Sequence, residues 1–288
     1  MERKIAFDIL NTIENNGAYS NLAVNQALKK AGKETDGAFV RRIVYGVLEN
    51  RICLDYYISR FLKSHIDEVK SKSLNLLRMS VYQILFMDSV PDYAAVNEAV
   101  KIAKKELVHQ DGFINGVLRN VIRNKEKLHL PDPERNRLKY LSVRYSFPEW
   151  MIQYLISGYG EALRAAGEVP PLTVRVNRLK TTPESLRSEL EAEGFDVKPG
   201  KHSPNALELR GRDVLSSKAF REGRCTVQDE ASMLAVELLD PKPGDTVIDL
   251  CAAPGGKSVY AGERMEDRGK IFSWDISASK LGIVSRTA

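Results

Sequence analysis

The spacing of apolar residues changes along this 288-residue chain, and that change limits the fold more than any other feature. Over residues 1–128, apolar residues recur every three or four positions, as on one face of an α-helix. The clearest runs are Ile5, Ile9 and Ile13, then Leu74, Leu77, Val81 and Ile84, then Val117, Leu118, Val121 and Ile122. Turn signals such as Asp111-Gly112 separate the runs. Alternating segments begin only after Pro170, so the sequence predicts a helical domain followed by α/β structure.

Proline and glycine residues divide the chain into three predicted parts. Pro131 and Pro133 end the last helical run, which indicates a domain boundary near residue 130. A further helix is predicted from Pro148, and a small α/β unit is predicted to end near Gly223. The parts are a helical domain, linker helices with the small α/β unit, and an incomplete third domain, over residues 1–130, 131–223 and 224–288.

Local signals place elements in the second and third parts. Thr182 followed by Pro183 is typical of a capped helix start, and the apolar residues over 233–239 indicate another helix. The stretch 245–250 has the composition of a buried strand, although a sheet of only two strands would leave much of it uncovered. Strands are predicted over 172–177, 194–197, 206–209, 245–250 and 270–275.

The charge distribution favours an anionic partner. The net charge is +5, and residues 1–140 hold 23 of the 43 Lys and Arg residues but only 17 of the 38 Asp and Glu residues. A basic excess on the helical part indicates a polyanion such as nucleic acid, although an ordinary solvated surface gives the same pattern. The candidates for contacts with RNA phosphates are Arg41, Arg42, Arg119, Arg123 and Lys125.

Other features exclude several classes of protein. No run of 18 apolar residues exists, so no transmembrane helix is predicted, and the first residues lack the pattern of a signal peptide. Cys53, Cys225 and Cys251 are odd in number and far apart, so we expect no disulfide framework and a cytoplasmic location. The four histidines are scattered, and no metal site is predicted.

The stretch 247–258 is the part of the sequence that points to chemistry. It consists of a strand, a tight turn of small residues and the start of a helix, and the next strand ends at Asp275. Such a turn brings a ligand close to the positive end of a helix, and an acid at the second strand accepts hydrogen bonds from a ribose. The arrangement predicts an adenosine-containing cofactor, held by Cys251, Ala252, Ala253, Pro254, Gly255, Gly256, Lys257 and Asp275.

Two nucleotide-binding motifs are excluded by the sequence, which limits the choice of cofactor. A P-loop requires glycine at position 251, which is Cys251, and Pro254 would stiffen a loop that has to wrap phosphates. The dinucleotide fingerprint Gly-x-Gly-x-x-Gly is missing as well. S-adenosylmethionine (SAM) has no phosphate and remains the predicted cofactor, so an NTPase is disfavoured.

Residues 251–257 match the cofactor loop of the NOL1/NOP2/Sun family of RNA cytosine-5 methyltransferases, and residues 228–232 resemble the helix approaching it. The first domain is similar to NusB, an RNA-binding antitermination factor. That likeness lies in Ser20-Asn21-Leu22, Asp36, Ala38-Phe39-Val40, Asn97-Glu98-Ala99-Val100, Phe113-Ile114-Asn115 and Leu118-Arg119. The resemblance implies a NusB-like helical domain, a small α/β (RRM-like) subdomain and the first part of a Rossmann-like methyltransferase domain. It also implies SAM-dependent C5-methylation of a cytosine in 16S rRNA, with that rRNA as partner, and we expect a monomer.

The resemblance further implies a cysteine nucleophile. A thiolate that adds to C6 of cytosine makes C5 able to attack the methyl sulfonium. The family's catalytic cysteines lie beyond the cofactor loop, one of them in a Pro-Cys pair, but no such pair occurs here and no cysteine follows Cys251. We therefore assign no catalytic residue and expect a truncated chain without turnover. The alternative is a catalytically inactive RNA-binding protein.

Several residues have two interpretations. Cys251 is expected to be a small buried loop residue rather than a nucleophile. Asp249 either orients the cofactor or caps the loop. Arg175 and Asn177 lie on a predicted strand, where the resemblance implies contact with RNA and a structural role is equally open. Residues 282–288 lack the pattern of the amphipathic helix expected there.

Overall fold

The computed structural model describes residues 1–32, 34–160, 163 and 170–287 of the chain. The chain divides into two compact units, Met1–Glu168 and Val169–Ala288. The first unit is helical over its described residues, and the second is a mixture of strands and helices, so the predicted change from helical to α/β structure is confirmed. The three-part domain division stays a prediction.

The first unit is built from helices that surround one buried helix. Their bounds are α1 (Glu2–Asn16), α2 (Ser20–Ala31), α3 (Gly37–Glu49), α4 (Arg51–Ser59), α5 (Ser71–Phe86), α6 (Asp92–Glu106), α7 (Asp111–Arg123), α8 (Arg137–Tyr145) and α9 (Glu149–Tyr159). Short 3-10 turns lie at Ile66–Glu68 and Lys125–Lys127. Helix α5 is buried on every side, as expected for a helix at the centre of a bundle.

The polar side chains that α5 buries have hydrogen-bond partners. Arg78 donates two hydrogen bonds of 2.7 Å to the carboxylate of Asp55 on α4. Asn75 accepts from Arg78 and donates to Asn11 on α1. Because a buried polar group is costly only when it lacks a partner, this network allows α5 to remain in the core.

Sequence signals mark some of the helix boundaries. The Asp36 carboxylate accepts from the Phe39 N–H at 3.0 Å and caps α3, and Pro148 precedes the predicted helix α9. The turn predicted at Asp111-Gly112 is wrong, because Asp111 is the first residue of α7. An acid in the first turn stabilises the positive helix end, which explains why this pair starts a helix. Helix α8 had no individual prediction.

The second unit begins with a four-stranded antiparallel sheet. Its elements are β1 (Leu172–Val176), α10 (Pro183–Ala192), β2 (Asp196–Pro199), β3 (Ala206–Arg210), α11 (Lys218–Arg221) and β4 (Cys225–Val227). The strand order is β2-β3-β1-β4, which is the β-α-β-β-α-β arrangement of a ferredoxin-like unit. Thr182 caps α10, as predicted. Strand β4 pairs with β1, so the sheet extends beyond Gly223.

A parallel β-α-β unit follows in the same part of the chain. Its elements are α12 (Glu230–Leu239), β5 (Thr246–Asp249), α13 (Gly256–Arg264), β6 (Lys270–Ser273) and α14 (Ala278–Thr287). Strands β5 and β6 pair in parallel, as in the first units of a Rossmann-like sheet. The prediction against a helix over 282–288 is wrong as far as Thr287, because α14 runs to that residue. Ala288 lies outside the described residues.

The two-stranded sheet is covered on one face. Val247 and Ile271 pack against a cluster that contains Met233, Val236 and Tyr260. The alternate residues point away from that cluster, and Ile248 and Trp274 are 57% and 56% exposed. The expectation that a two-stranded sheet leaves much of this apolar strand uncovered is confirmed, since α12 and α13 cover only one of its two faces. None of the described helices combines the length and the apolar character needed to span a bilayer.

Candidate cofactor-binding site

The loop after β5 is held at its base by Asp249. One oxygen of the Asp249 carboxylate accepts the Cys251 N–H at 3.2 Å, and the other accepts the Ser258 hydroxyl at 2.7 Å. The Ser273 hydroxyl on β6 donates to Ser258 Oγ at 3.1 Å. These bonds join the end of β5, the first turn of α13 and the end of β6. Of the two interpretations open for Asp249, the structure shows capping of the loop.

The turn itself depends on Gly255. The Ala253–Pro254 peptide is cis, and Gly255 follows with φ 112°. That positive φ favours glycine, because a Cβ would meet the residue's own backbone. The Gly255 N–H donates to the Ala252 carbonyl at 2.6 Å and closes the turn. Helix α13 then begins at Gly256, and its first-turn amides have no partners within the helix.

Asp275 joins the loop to the end of β6. One carboxylate oxygen accepts the Ala253 N–H at 3.1 Å, and the other accepts the Ser277 N–H at 2.9 Å. The backbone N–H groups of Ser277 and Ala253 hold the pKa of Asp275 below its usual value. Asp275 is therefore ionised near neutral pH, and each oxygen keeps a lone pair for a further donor. A second link runs from the Ala252 N–H to the Trp274 carbonyl at 2.9 Å.

The structure brings the predicted site residues together in this loop. Ala252 and Gly255 are buried, and Pro254 and Lys257 are exposed. Cys251 is exposed too, so the prediction that it is buried is wrong. The Asp249 carboxylate fixes the Cys251 peptide at the open end of β5, where the two-stranded sheet provides no cover for the side chain.

The other two cysteines are buried. Burial raises the pKa of both Cys53 and Cys225 to about 11. Both are therefore protonated thiols near neutral pH and behave as small apolar residues.

Of the two interpretations open for Arg175, the structure shows the structural one. Its side chain is 0% exposed, so the suggested contact with RNA is excluded in this structure. Its guanidinium donates to both carboxylate oxygens of Glu263 on α13, at 2.6 and 3.1 Å. It also donates to the Gly256 carbonyl at 3.0 Å and to the side chain of Gln228. Burial raises the pKa of Glu263 while the Arg175 cation opposes that shift.

The sequence contains a signal for the buried cluster of Arg175, Glu263 and Gln228. Arg175 is the one charged residue in the strand Leu172–Val176, and a charge at an inward strand position needs a buried partner. Asn177, the other suggested RNA contact, makes local bonds: its amide donates to the Gly223 carbonyl at 3.0 Å and its oxygen accepts the Leu179 N–H at 3.0 Å.

The basic candidates on the helical unit lie at its surface. Arg41, Arg42, Arg119 and Arg123 are exposed, while Lys125 is partly buried beside Asp92 at 3.4 Å. Arg119 and Arg123 border a groove of about 560 Å³ between α6 and α7. The same groove is lined by Tyr93, whose side chain is 71% exposed.

Comparisons with known families match the chain in three segments. Residues 1–123 match the NusB family, and residues 147–214 match the ferredoxin-like domain of RsmF/B-like methyltransferases. Residues 236–288 match the family described as 16S rRNA methyltransferase RsmB/F. The matches agree with the helical fold of the first unit and with the ferredoxin-like sheet of the second.

Two curated proteins and one solved structure are similar over nearly the whole chain. The probable ribosomal RNA small subunit methyltransferase B of Bacillus subtilis is 35% identical over 99% of this chain and 65% of its own length. The protein of that name from Synechocystis is 31% identical, over 98% of this chain and 67% of its own. The crystal structure of PH0851 superposes on 100% of this chain and 66% of its own, with a TM-score of 0.75 at 26% identity. The chain thus spans about two thirds of the length of these relatives. On this similarity, the chain belongs to the ribosomal RNA small subunit methyltransferase B family.

Proposed function

We propose that this chain supplies the RNA-binding and SAM-binding parts of a methyltransferase that acts on C5 of a cytosine in 16S rRNA. The observation that carries the proposal is the Asp275 carboxylate, which is held ionised at the end of β6 by the Ser277 N–H and by the loop's own Ala253 N–H. The names of the relatives and the match of residues 236–288 support the substrate class.

The residues around the loop fit SAM. Ribose hydroxyls are donors, and the free lone pairs of the ionised Asp275 are acceptors. The carboxylate of the methionine portion suits the first-turn amides of α13, at the positive end of that helix. The loop lacks the upstream glycine that a P-loop uses to wrap a phosphate chain. SAM contains no phosphate, so it does not require that glycine. When bound, SAM supplies a methyl group made electrophilic by its sulfonium.

The proposed role of the chain's own residues is binding and orientation. Cytosine C5 reacts only after a thiolate adds to C6, and Cys53 and Cys225 are buried protonated thiols that are unsuited to that step. Cys251 is exposed but belongs to the cofactor loop. We therefore assign no residue of this chain the role of nucleophile.

The helical unit is the proposed RNA-binding part. The positive charge that neutralises phosphates comes from the exposed residues Arg41, Arg42, Arg119 and Arg123, and the basic excess of residues 1–140 supports an electrostatic contribution. A ribosomal RNA partner is consistent with a cytoplasmic location and with the monomer that we expect.

Equilibrium binding tests the cofactor assignment. In titration calorimetry the full chain is expected to bind SAM and S-adenosylhomocysteine and to show no heat with ATP or NAD. Binding of ATP but not SAM would refute the proposal and revive an NTPase.

A transfer assay tests the reaction. The chain is incubated with methyl-labelled SAM and 16S rRNA, and bisulfite sequencing reports C5 methylation. Because no residue of this chain is assigned as the nucleophile, we expect no incorporation, and label at a cytosine C5 would refute both that assignment and the inactive RNA-binding alternative. Label at another atom would refute the C5 assignment, while rRNA binding without incorporation and without binding of SAM supports the RNA-binding alternative.

A further inference from the structure

Arg175 combines a fully buried charge with contacts to both ends of one helix. It lies inside β1 of the ferredoxin-like sheet, and its partner Glu263 is also buried. An isolated charge is very costly in a protein interior, so a buried arginine requires a paired anion. Glu263 supplies it through two hydrogen bonds, of 2.6 and 3.1 Å. Glu263 lies in the last turn of α13, and this pair therefore attaches the end of the helix to the sheet.

The same guanidinium makes contacts that charge balance does not require. One of its terminal nitrogens donates to the Gly256 carbonyl at 3.0 Å and to Gln228. Gly256 is the first residue of α13 and belongs to the loop motif 251–257. Arg175 thus binds the start of α13 as well as its end.

The planar face of the guanidinium is fixed as well. The ring of Tyr260 lies 4.8 Å from it, within cation–π range. The Tyr260 hydroxyl donates to Glu237 at 2.6 Å and accepts from Asn205 at 3.0 Å. Arg175 therefore lies fixed between its own sheet and α13, and Tyr260 joins it to Glu237 on α12.

We propose that Arg175 is a positioning residue for the SAM loop, an inference that rests on the proposed function. By holding the Gly256 carbonyl, it fixes the point at which the loop becomes α13, and with it the distance between Ala253 and Asp275. Lysine at 175 could still pair with Glu263, but it lacks the rigid fork that reaches Gly256 and Gln228 at the same time.

Three variants separate positioning from folding. Arg175→Lys keeps the charge and loses the fork. The double variant Arg175→Met/Glu263→Met removes both charges, an exchange that buried ion pairs commonly tolerate without loss of the fold. The matched control is Arg224→Met, which breaks the Arg224–Glu189 pair in the same unit but leaves the loop's contacts intact.

Two measurements are made on each full-length chain. Titration with S-adenosylhomocysteine is expected to give a Kd about tenfold weaker for both Arg175 variants, the effect of one lost charge-assisted hydrogen bond. Arg224→Met is expected to bind as the unmodified chain does. Hydrogen exchange without ligand is expected to show faster exchange at the Ala252, Ala253 and Gly255 amides in the Arg175 variants alone.

The outcomes keep the two proposals apart. If the unmodified chain binds no SAM or S-adenosylhomocysteine, the proposed function fails, and loop exchange still decides whether Arg175 positions the loop. If the double variant is folded and its loop exchange matches that of Arg224→Met, the inference about Arg175 is overturned. Unchanged affinity in both Arg175 variants overturns it too, even where SAM binding is established.

Discussion

Replacing Gly255 with alanine tests whether the conformation of the loop sets its affinity for SAM. Gly255 has φ 112° and ψ −10°, values that place the Cβ of any other residue against its own backbone. Forcing alanine into this conformation costs about 1–2 kcal/mol. Because Gly255 lies between the Ala253–Pro254 peptide and α13, we expect the loop to move and relieve that strain. The SAM Kd is then expected to rise by about 5–30-fold, the change that corresponds to the strain energy of about 1–2 kcal/mol.

Gly244→Ala is the matched control. Gly244 also has a positive φ, of 98°, but it lies in the exposed turn before β5, with open space where its Cβ would stand. Both variants are expected to lose similar stability in urea unfolding, whereas only Gly255→Ala loses affinity in titration calorimetry. Equal loss of affinity in the two variants, or none in either, would show that the loop conformation does not control binding.

Two further predictions concern the thiols and the helical surface. Near neutral pH, iodoacetamide is expected to modify Cys251 in the folded chain but Cys53 and Cys225 only after unfolding, because their pKa values are raised to about 11. Peptide mass spectrometry locates the label, and comparable rates at all three sites would contradict the described burial. Arg119→Ala is expected to weaken rRNA binding and to lower its salt slope by about one, while the exposed Arg135→Ala has no effect. Filter binding at several salt concentrations measures the affinity for rRNA and its salt slope. Equal effects of the two substitutions would show that Arg119 does not lie in the RNA interface.

Much of the fold follows from local sequence signals. The helical runs of the first unit and the Thr182–Pro183 cap were predictable, because their periodicity and capping chemistry act over a few residues. The ferredoxin-like strand β4 was not assigned to its sheet, since its pairing with β1 joins residues about 50 positions apart. The exposed face of β5, in contrast, follows from the sequence, because an apolar strand is buried only where another element covers it and two strands leave one face open.

The site was predictable where its motif is continuous. The loop 251–257 and Asp275 were identified from spacing, and the structure joins them through the Ala253 N–H. Arg175 was missed because its role depends on Glu263, 88 residues later, and on the Gly256 carbonyl. Contacts between a strand and a distant helix leave no periodic signal in the sequence. A single charged residue in an apolar strand indicates only that a buried partner exists, and does not identify it.

Asp275→Asn measured by titration calorimetry with SAM tests the central claim most directly. The substitution keeps the shape of the side chain but removes the ionised acceptor proposed for the ribose. Asp213→Asn is the control. Asp213 accepts the N–H of the second residue after it at 3.0 Å, as Asp275 does at 2.9 Å, but it lies in the loop that follows β3 of the ferredoxin-like unit. The account predicts that the unmodified chain and Asp213→Asn bind SAM alike and that Asp275→Asn binds at least about tenfold more weakly. Equal affinity in all three chains would contradict it.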